Sequence, residues 1–399
     1  MNMHATVSSP TSLHDVPGRD APLDLVGLLP AELTALMGAL GEKPFRARQL
    51  WHWIYCRGAT GFDAMTSLSG AFRAKLAERF TIGRPAISRT LISSDTTRKW
   101  LLRFVDGREA ETVYIPEEER GAVCLSSQVG CTLTCRFCHT GTQTLVRNLT
   151  AAEIVGQFLV ARDSCGAWPS AANEARLLSN VVIMGMGEPL FNYESIATAL
   201  KILMNPDGLA LSRRRVTLST SGVVPLIRRL GEEVACNLAV SLHAATDTLR
   251  SHLMPINRKY PLAALMAACH AYPPASNARR ITFEYIMLDG INDSAADARA
   301  VVQLVKGVPC KFNLIPFNPW PGALYACSTE AAIRRFAEIL NEAGYSAPVR
   351  EARGQDIHAA CGQLRSDSLR ERLSRHKARL AAGLVDDDHG PRPGWENDC

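Results

Sequence analysis

Hydrophobic and polar positions change rhythm twice along this chain. Over residues 30–37, 44–55 and 69–80 the apolar residues recur at helical spacing, with Pro30 and Pro44 at helix starts, which predicts three helices. Over 87–105 and 111–115 they alternate, predicting short strands of a small sheet. From about residue 122 to 351, β-rich runs are each followed by an amphipathic stretch. Strands are expected at 123–127, 180–184, 215–219, 237–242, 281–287 and 311–315, and helices at 151–162, 193–204, 224–230, 262–270, 293–306 and 328–343. Repeated βα units with right-handed crossovers predict an α/β fold, a partial (β/α)6 barrel behind a small N-terminal helical accessory domain, with ligands at the carboxyl ends of the strands. The expected division is a disordered lead (1–24), a basic helical accessory domain (25–85), a small β linker (86–121), the barrel (122–351), a C-terminal segment (352–380) and a flexible tail (381–399).

The loop after the first barrel strand carries the candidate chemistry. Cys131, Cys135 and Cys138 stand in a C-x3-C-x2-C spacing. A closed structural zinc site takes four ligands, whereas an iron–sulfur cube held by three cysteines keeps one iron open. Phe137, just before the third cysteine, completes a pattern that resembles the radical S-adenosylmethionine (SAM) enzymes, whose cluster chelates SAM. Two plainer readings stay open on the loop alone: zinc with His139 as fourth ligand, or three buried thiols.

Composition narrows the setting. The chain has 399 residues, 47% hydrophobic and 21% charged, as globular proteins have. No apolar run reaches membrane-spanning length and no signal-peptide layout opens the chain, so a cytoplasmic protein without a membrane partner is expected. Outside the triplet the cysteines are scattered, which excludes a secreted disulfide framework. Charge is uneven: from Lys43 to Arg108 there are 13 Lys/Arg against 4 Asp/Glu, so the rest of the chain is net acidic and a phosphate-backbone partner is expected at the N-terminal end. Phe45, Trp51, Trp53 and Tyr55 alternate with Arg46, Arg48 and Arg57 there; they suit base stacking or, for Trp51 and Phe45 above all, the core of the helical domain.

Further motifs fall at the same strand ends. Gly185-Met186-Gly187-Glu188-Pro189 follows the second barrel strand, Ser219-Thr220-Ser221-Gly222 the third, Ser241-Leu242-His243 the fourth and Phe317-Asn318-Pro319 the sixth. Glycines let backbone approach a ligand, and a carboxylate pairs with an ammonium group. These motifs, the run 124–131, Arg215–Gly222 and the stretch Arg353-Gly354-Gln355-Asp356-Ile357-His358-Ala359-Ala360-Cys361-Gly362 together resemble the family of bacterial dual-specificity ribosomal RNA/tRNA adenine C2-methyltransferases, over roughly residues 41–377. His139 and Gln355 depart from otherwise matching motifs.

The resemblance implies a radical SAM barrel, a [4Fe-4S] cluster on Cys131, Cys135 and Cys138, and S-adenosyl-L-methionine held by Gly187, Glu188, Ser219, Ser241, Leu242, His243 and Asn318. It implies that Cys361 is first methylated and then delivers its carbon to adenine. Cys124 would release the adduct by attacking the Cys361 sulfur, leaving a disulfide, and Glu111 would serve as general base. It also implies ribosomal RNA and tRNA as substrates, an electron donor such as flavodoxin, and a monomer. An adenine C2 carbon has neither an acidic proton nor a lone pair, so a radical route suits it. Without the resemblance, Cys124 and Cys361 read as buried small hydrophobes and Glu111, near Glu109 and Glu117–Glu119, as part of a solvated acidic face. The alternatives are a C8-adenine methyltransferase, a non-methylating radical SAM RNA-modifying enzyme, and a non-catalytic iron–sulfur RNA-binding protein. Methylthiolation needs a second cluster, and no second cysteine triplet exists.

Overall fold

In the computed structural model, which describes residues 22–117, 120–170, 177–273 and 281–365, the alternating runs join into one sheet of nine strands. These are β1 (Ala86–Ile92), β2 (Arg98–Arg103), β3 (Glu109–Pro116), β4 (Gly121–Cys124), β5 (Asn180–Ile183), β6 (Val216–Thr220), β7 (Asn237–Ser241), β8 (Ile281–Met287) and β9 (Cys310–Pro316). Their order in the sheet is their order in the chain. β1 to β4 form an antiparallel meander, while β4 to β9 pair in parallel. The strands expected as a separate small sheet therefore continue the barrel sheet, because β3 finds its partner in β4. The expected lead up to residue 21, Glu118, Glu119, the C-terminal segment beyond 365 and the tail arginines Arg370, Arg372, Arg375 and Arg379 lie outside the described residues.

Helices α1 (Pro30–Ala39), α2 (Phe45–Tyr55) and α3 (Gly70–Ala77) precede the sheet. Helix α4 (Ala151–Ser164) joins β4 to β5, α5 (Tyr193–Met204) β5 to β6, and α6 (Val224–Glu233) β6 to β7. Helices α7 (Asp247–Leu253) and α8 (Leu262–Ala271) lead to β8, α9 (Ala295–Leu304) leads to β9, and α10 (Glu330–Glu342) follows it. Each of the crossings puts an apolar helix face on the sheet. In α4, for instance, Thr150 and Glu153 form a capping box ahead of buried Ile154, Val155, Phe158 and Leu159. Burying one such side chain stabilises the fold by roughly 1.5–3 kcal/mol. Helix α7 has no counterpart in the expected elements, since its seven residues are too few to show a period.

The N-terminal helices pack on the barrel through the turn Leu25–Gly27, whose Val26 carbonyl accepts the Tyr55 hydroxyl. On α2 the buried stripe is Ala47, Leu50, Trp51, Ile54 and Tyr55. Trp51 and Tyr55 are thus core residues, whereas Phe45 stays 39% exposed beside exposed Lys43 and Arg48. Beyond α10 the chain runs beside β9, with the Phe312 and Leu314 N–H groups donating to Ser346 and Pro348, and then crosses the mouth of the barrel up to residue 365. No helix among the described residues is long and apolar enough to cross a membrane.

Candidate active site

Sheet register places the first group. Lys99, Val113, Cys124 and Val182 are successive partners across β2, β3, β4 and β5, so their side chains share one face of the sheet. Glu111 and Ile115, two residues either way from Val113 on β3, share it too. Glu111 is 7% exposed; its Oε1 lies 2.9 Å from Lys99 Nζ and its Oε2 accepts the Arg365 N–H at 2.8 Å. The reading of Glu111 as part of a solvated acidic face therefore fails, because strand alternation turns it inward; Glu117, beyond the strand, is exposed.

After β4 the chain leaves through a short ribbon in which Gln128–Val129 pairs with Arg147–Asn148, and the loop between them holds the cysteine triplet. Buried Gln128 ties this loop to the next strand end: its Oε1 accepts from the Thr132 N–H at 3.1 Å and the Glu188 N–H at 3.0 Å. Burial pushes all three thiols up, Cys131 to about 12, and each is pushed further by a neighbouring cysteine or, for Cys131 and Cys135, by Glu188. Such a set becomes three thiolates only with compensating positive charge. Among the described residues no three His, Cys, Asp or Glu groups close to single-ion spacing. A donor set of three thiols on one loop fits an iron–sulfur cube with one iron left open. His139 is not offered as a fourth ligand: its ring stacks on Trp320 at 4.7 Å and its Nδ1 is 3.3 Å from the Gln363 carbonyl.

The turn after β5 brings Gly187 and Glu188 alongside. Gly187 has φ +100°, and a Cβ there would lie 2.6 Å from Gln128 Cβ, so only glycine fits. Glu188, 2% exposed, accepts from Leu190 N–H, Thr220 Oγ1 and Ser221 N–H at 3.1, 2.8 and 2.8 Å. Burial raises its pKa despite these donors, so its charge calls for a cation. His243, buried at the end of β7 with φ +61°, accepts the Ile286 N–H on Nδ1 and sits edge-on to Phe137. Burial and the nearby Arg250 guanidinium push it down to about 3, so it is a neutral ring with its proton on Nε2.

Two adjoining cavities open at these strand ends. Gly187, Glu188, Ser219, Ser241, His243 and Glu284 line one; Val113, Cys124, Val182, Asn318 and Arg350 line the other. Cys138, Met184, Gly185, Ile315, Cys361 and Gly362 line both, so Cys361 stands in the wall between them. Asn318 falls on the Cys124 side, its amide donating to the Cys361 carbonyl at 3.3 Å. Leu242 is fully buried and contributes backbone only, donating its N–H to the Glu284 carbonyl. Cys131 and Cys135 lie behind the shared wall and line neither cavity. The described cysteines are all free thiols, so the Cys124–Cys361 disulfide is not present in this state. Burial, then the neighbouring Cys361, push Cys124 up to about 12, while Arg350 pulls it down.

Several site residues carried no sequence signal. Arg250 is fully buried and donates to the Leu242, Ser221 and Ser241 carbonyls and to Asn257 Oδ1, at 2.8–3.0 Å. Lys99, Glu284 and Arg350 likewise come from ordinary strand or loop positions. Gln128, two residues before the glycine of the cysteine loop, lies within the run 124–131 that carries the resemblance, though nothing in that run marked it as a tether.

Residues 23–82 match the family described as ribosomal RNA large subunit methyltransferase N-terminal domain, and residues 125–300 the radical SAM superfamily. The chain is 68% identical over 376 residues to the dual-specificity RNA methyltransferase RlmN of Rhodospirillum rubrum, covering 94% of this chain and 88% of that protein. It is 64% identical over 373 residues to the protein of the same name from Paramagnetospirillum magneticum, covering 93% and 82%. A crystal structure of a radical SAM methyltransferase from Sphaerobacter thermophilus superposes with a TM-score of 0.80 at 46% identity, covering 86% of this chain and 99% of that one.

Proposed function

The chain belongs to the RlmN family of dual-specificity RNA methyltransferases, and from that premise we propose that it methylates C2 of adenine in ribosomal RNA and tRNA, with Cys361 as the carrier of the carbon. One observation carries this reading: Cys361 lines both cavities, so a single sulfur reaches the SAM side and the Cys124 side without leaving its loop. The cluster would be held by Cys131, Cys135 and Cys138, and SAM by Gly187, Glu188, Ser219, Ser241, Leu242 and His243, with Asn318 on the far wall. Bound there, the two supply a methyl group for Cys361 and the one-electron chemistry that takes a hydrogen from it.

The chain's own groups do the rest. Glu188 offers its buried charge to the ammonium group of SAM. His243, uncharged, adds a donor without repelling that cation. The target adenine enters the cavity lined by Val113, two residues along β3 from Glu111; once the radical adduct has returned its unpaired electron to the one-electron couple that started the chemistry, Glu111 takes the proton from the adduct carbon. The Cys124 thiolate then attacks the Cys361 sulfur. The S–S bond forms as the S–C bond breaks, the electron pair passes to the carbon, and a proton completes the methyl group. External reduction restores both thiols. Arg350, between Cys124, Cys361 and Glu284, favours the thiolate form that this attack requires. Lys43, Arg48 and Arg57, exposed before, on and after α2, suit RNA phosphates. The reading carries with it a one-electron donor such as flavodoxin and a monomer acting in the cytoplasm.

The test is a pair of variants assayed anaerobically with RNA. Cys361→Ala abolishes methylation, while Cys124→Ala still binds RNA but leaves it linked to the protein through Cys361. Methylated adenine from Cys361→Ala overturns the proposal. Nucleoside analysis separates C2 from C8.

A further inference from the structure

The loop that carries Cys361 is fixed at both ends by one ion pair. Lys99 Nζ, itself 6% exposed, lies 2.9 Å from Glu111 Oε1 and donates to the His358 carbonyl at 2.9 Å, three residues before Cys361. The other oxygen of Glu111 accepts the Arg365 N–H at 2.8 Å, four residues after it. The rest of the loop is held by uncharged or backbone partners near the cysteine: His139 N–H to the Gly362 carbonyl at 2.7 Å, Thr140 Oγ1 to the Leu364 carbonyl at 2.6 Å and Gln363 Nε2 to the Pro319 carbonyl at 2.7 Å. Further back, Asp95 accepts the Gly354 N–H and Asp356 accepts from Ser93 and Ser94. Lys99 is opposite Val113 in the β2–β3 register, on the face that lines the Cys124 cavity.

We propose that Lys99 is a positioning residue for the second half of the reaction: it aims the Glu111 carboxylate at the adenine cavity and ties that aim to the placement of the Cys361 loop. This rests on the reading of Glu111 as base and Cys361 as carrier. In the state seen here one Glu111 oxygen is engaged by the Arg365 N–H, which a flat base entering the cavity must displace, and the Lys99 ammonium stays on the other oxygen as a charged contact that holds the carboxylate in place. A lysine suits this role because its ammonium bridges a carboxylate and a carbonyl at once. Loading Cys361 with a methyl group takes place on the other side of the wall, and the bonds from His139, Thr140 and Gln363 that hold the loop beside the cysteine do not involve Lys99.

The two half-reactions therefore separate. In Lys99→Met, intact-mass analysis is expected to show Cys361 methylated to within a few-fold of the wild-type extent, while transfer to RNA falls on the order of 100-fold, the scale of an ångström-level misplacement; methylated carrier then persists after RNA is added. Lys99→Arg, which keeps a charged bridge, is expected to restore most of the transfer. Lys99→Met/Glu111→Gln removes both charges and guards against misfolding from a lone buried carboxylate; it is expected to load Cys361 and fail in transfer as well. Equal loss of loading and transfer in all three, or full transfer in Lys99→Met, overturns the proposal. A wild-type chain that never loads Cys361 overturns instead the functional reading beneath it.

Discussion

Replacing Arg250 by Met is the sharpest test of how the barrel mouth is held. The guanidinium makes four hydrogen bonds of 2.8–3.0 Å, three to the carbonyls of Ser221, Ser241 and Leu242 and one to Asn257 Oδ1, with no exposure to solvent. Methionine fills much of the volume but leaves four acceptors without their donor, two of them, Leu242 and Asn257, buried and two, Ser221 and Ser241, half-buried beside the cavity; a buried one costs about 1–3 kcal/mol when unsatisfied. Against this stands the guanidinium's own desolvation, several kcal/mol, which is visible in its pKa being lowered by burial to about 10. The balance is a loss of about 3–5 kcal/mol, the range found when one partner of a buried polar cluster is removed. That is a large part of an ordinary protein's stability of about 5–15 kcal/mol. With a urea slope near 3 kcal/mol/M the unfolding midpoint falls by about 1–1.5 M. The same carbonyls close the ends of β6 and β7 beside Ser219, Ser241 and His243, so SAM affinity, read by equilibrium dialysis on the cluster-loaded chain, falls with it. A midpoint within 0.3 M (~1 kcal/mol) of wild type and unchanged SAM affinity refute the reasoning.

Gly187→Ala introduces a side chain at φ +100° and 2.6 Å from Gln128 Cβ; backbone strain and overpacking cost about 2–5 kcal/mol together, measurable as a lower urea midpoint, and SAM binding weakens because the turn carrying Glu188 shifts. The iron-free chain is expected to lose thermal stability as pH rises from 9 towards 12. Cys124 and Cys131 are neutral when folded, with pKa pushed up to about 12 from an ordinary 9, so the unfolded chain ionises first; melting curves at stepped pH read this, and cluster loading removes the Cys131 share. Asp95→Asn loosens the strap on Gly354. Burial pulls the Asp95 carboxyl up, but the Gly354, Thr97 and Ser93 donors outweigh it and hold it well below the usual range, so the strap's contribution is present above about pH 4 and fades as pH falls further; hydrogen exchange at residues 354–365 follows it.

Where the chain repeats a pattern, its structure was legible. Each of the six parallel strands and, α7 excepted, the helices between them fall where period and βα alternation put them, because a buried strand and a one-sided helix both write their surroundings into successive residues. The cysteine loop, the Gly187–Glu188 turn and Cys361 were legible as motifs, their chemistry following from the resemblance. Three things were not. The meander β1–β3 joins the barrel sheet through a β3–β4 pairing whose register no local pattern announces. Trp51 packs inward as expected but Phe45, expected in the core with it, stays exposed, since an aromatic on an amphipathic helix looks the same whether it meets a core, a base or solvent. Lys99, Arg250 and Arg350 act through partners 7 to more than 250 residues away, contacts outside the short repeats that spacing along the chain encodes.

The central claim is that one sulfur, that of Cys361, carries the carbon between two cavities that share it as a wall. Its most direct test is to reconstitute the purified chain with iron and sulfide without air, supply SAM and an electron source, and map the protein by peptide mass. The account predicts one four-iron cluster per chain, SAM consumed to S-adenosylhomocysteine and 5′-deoxyadenosine, and one added methylene on the peptide holding Cys361, lost again when substrate RNA is supplied. A chain that binds zinc or no metal at Cys131, Cys135 and Cys138, or that methylates RNA while Cys361 stays unmodified throughout, contradicts it.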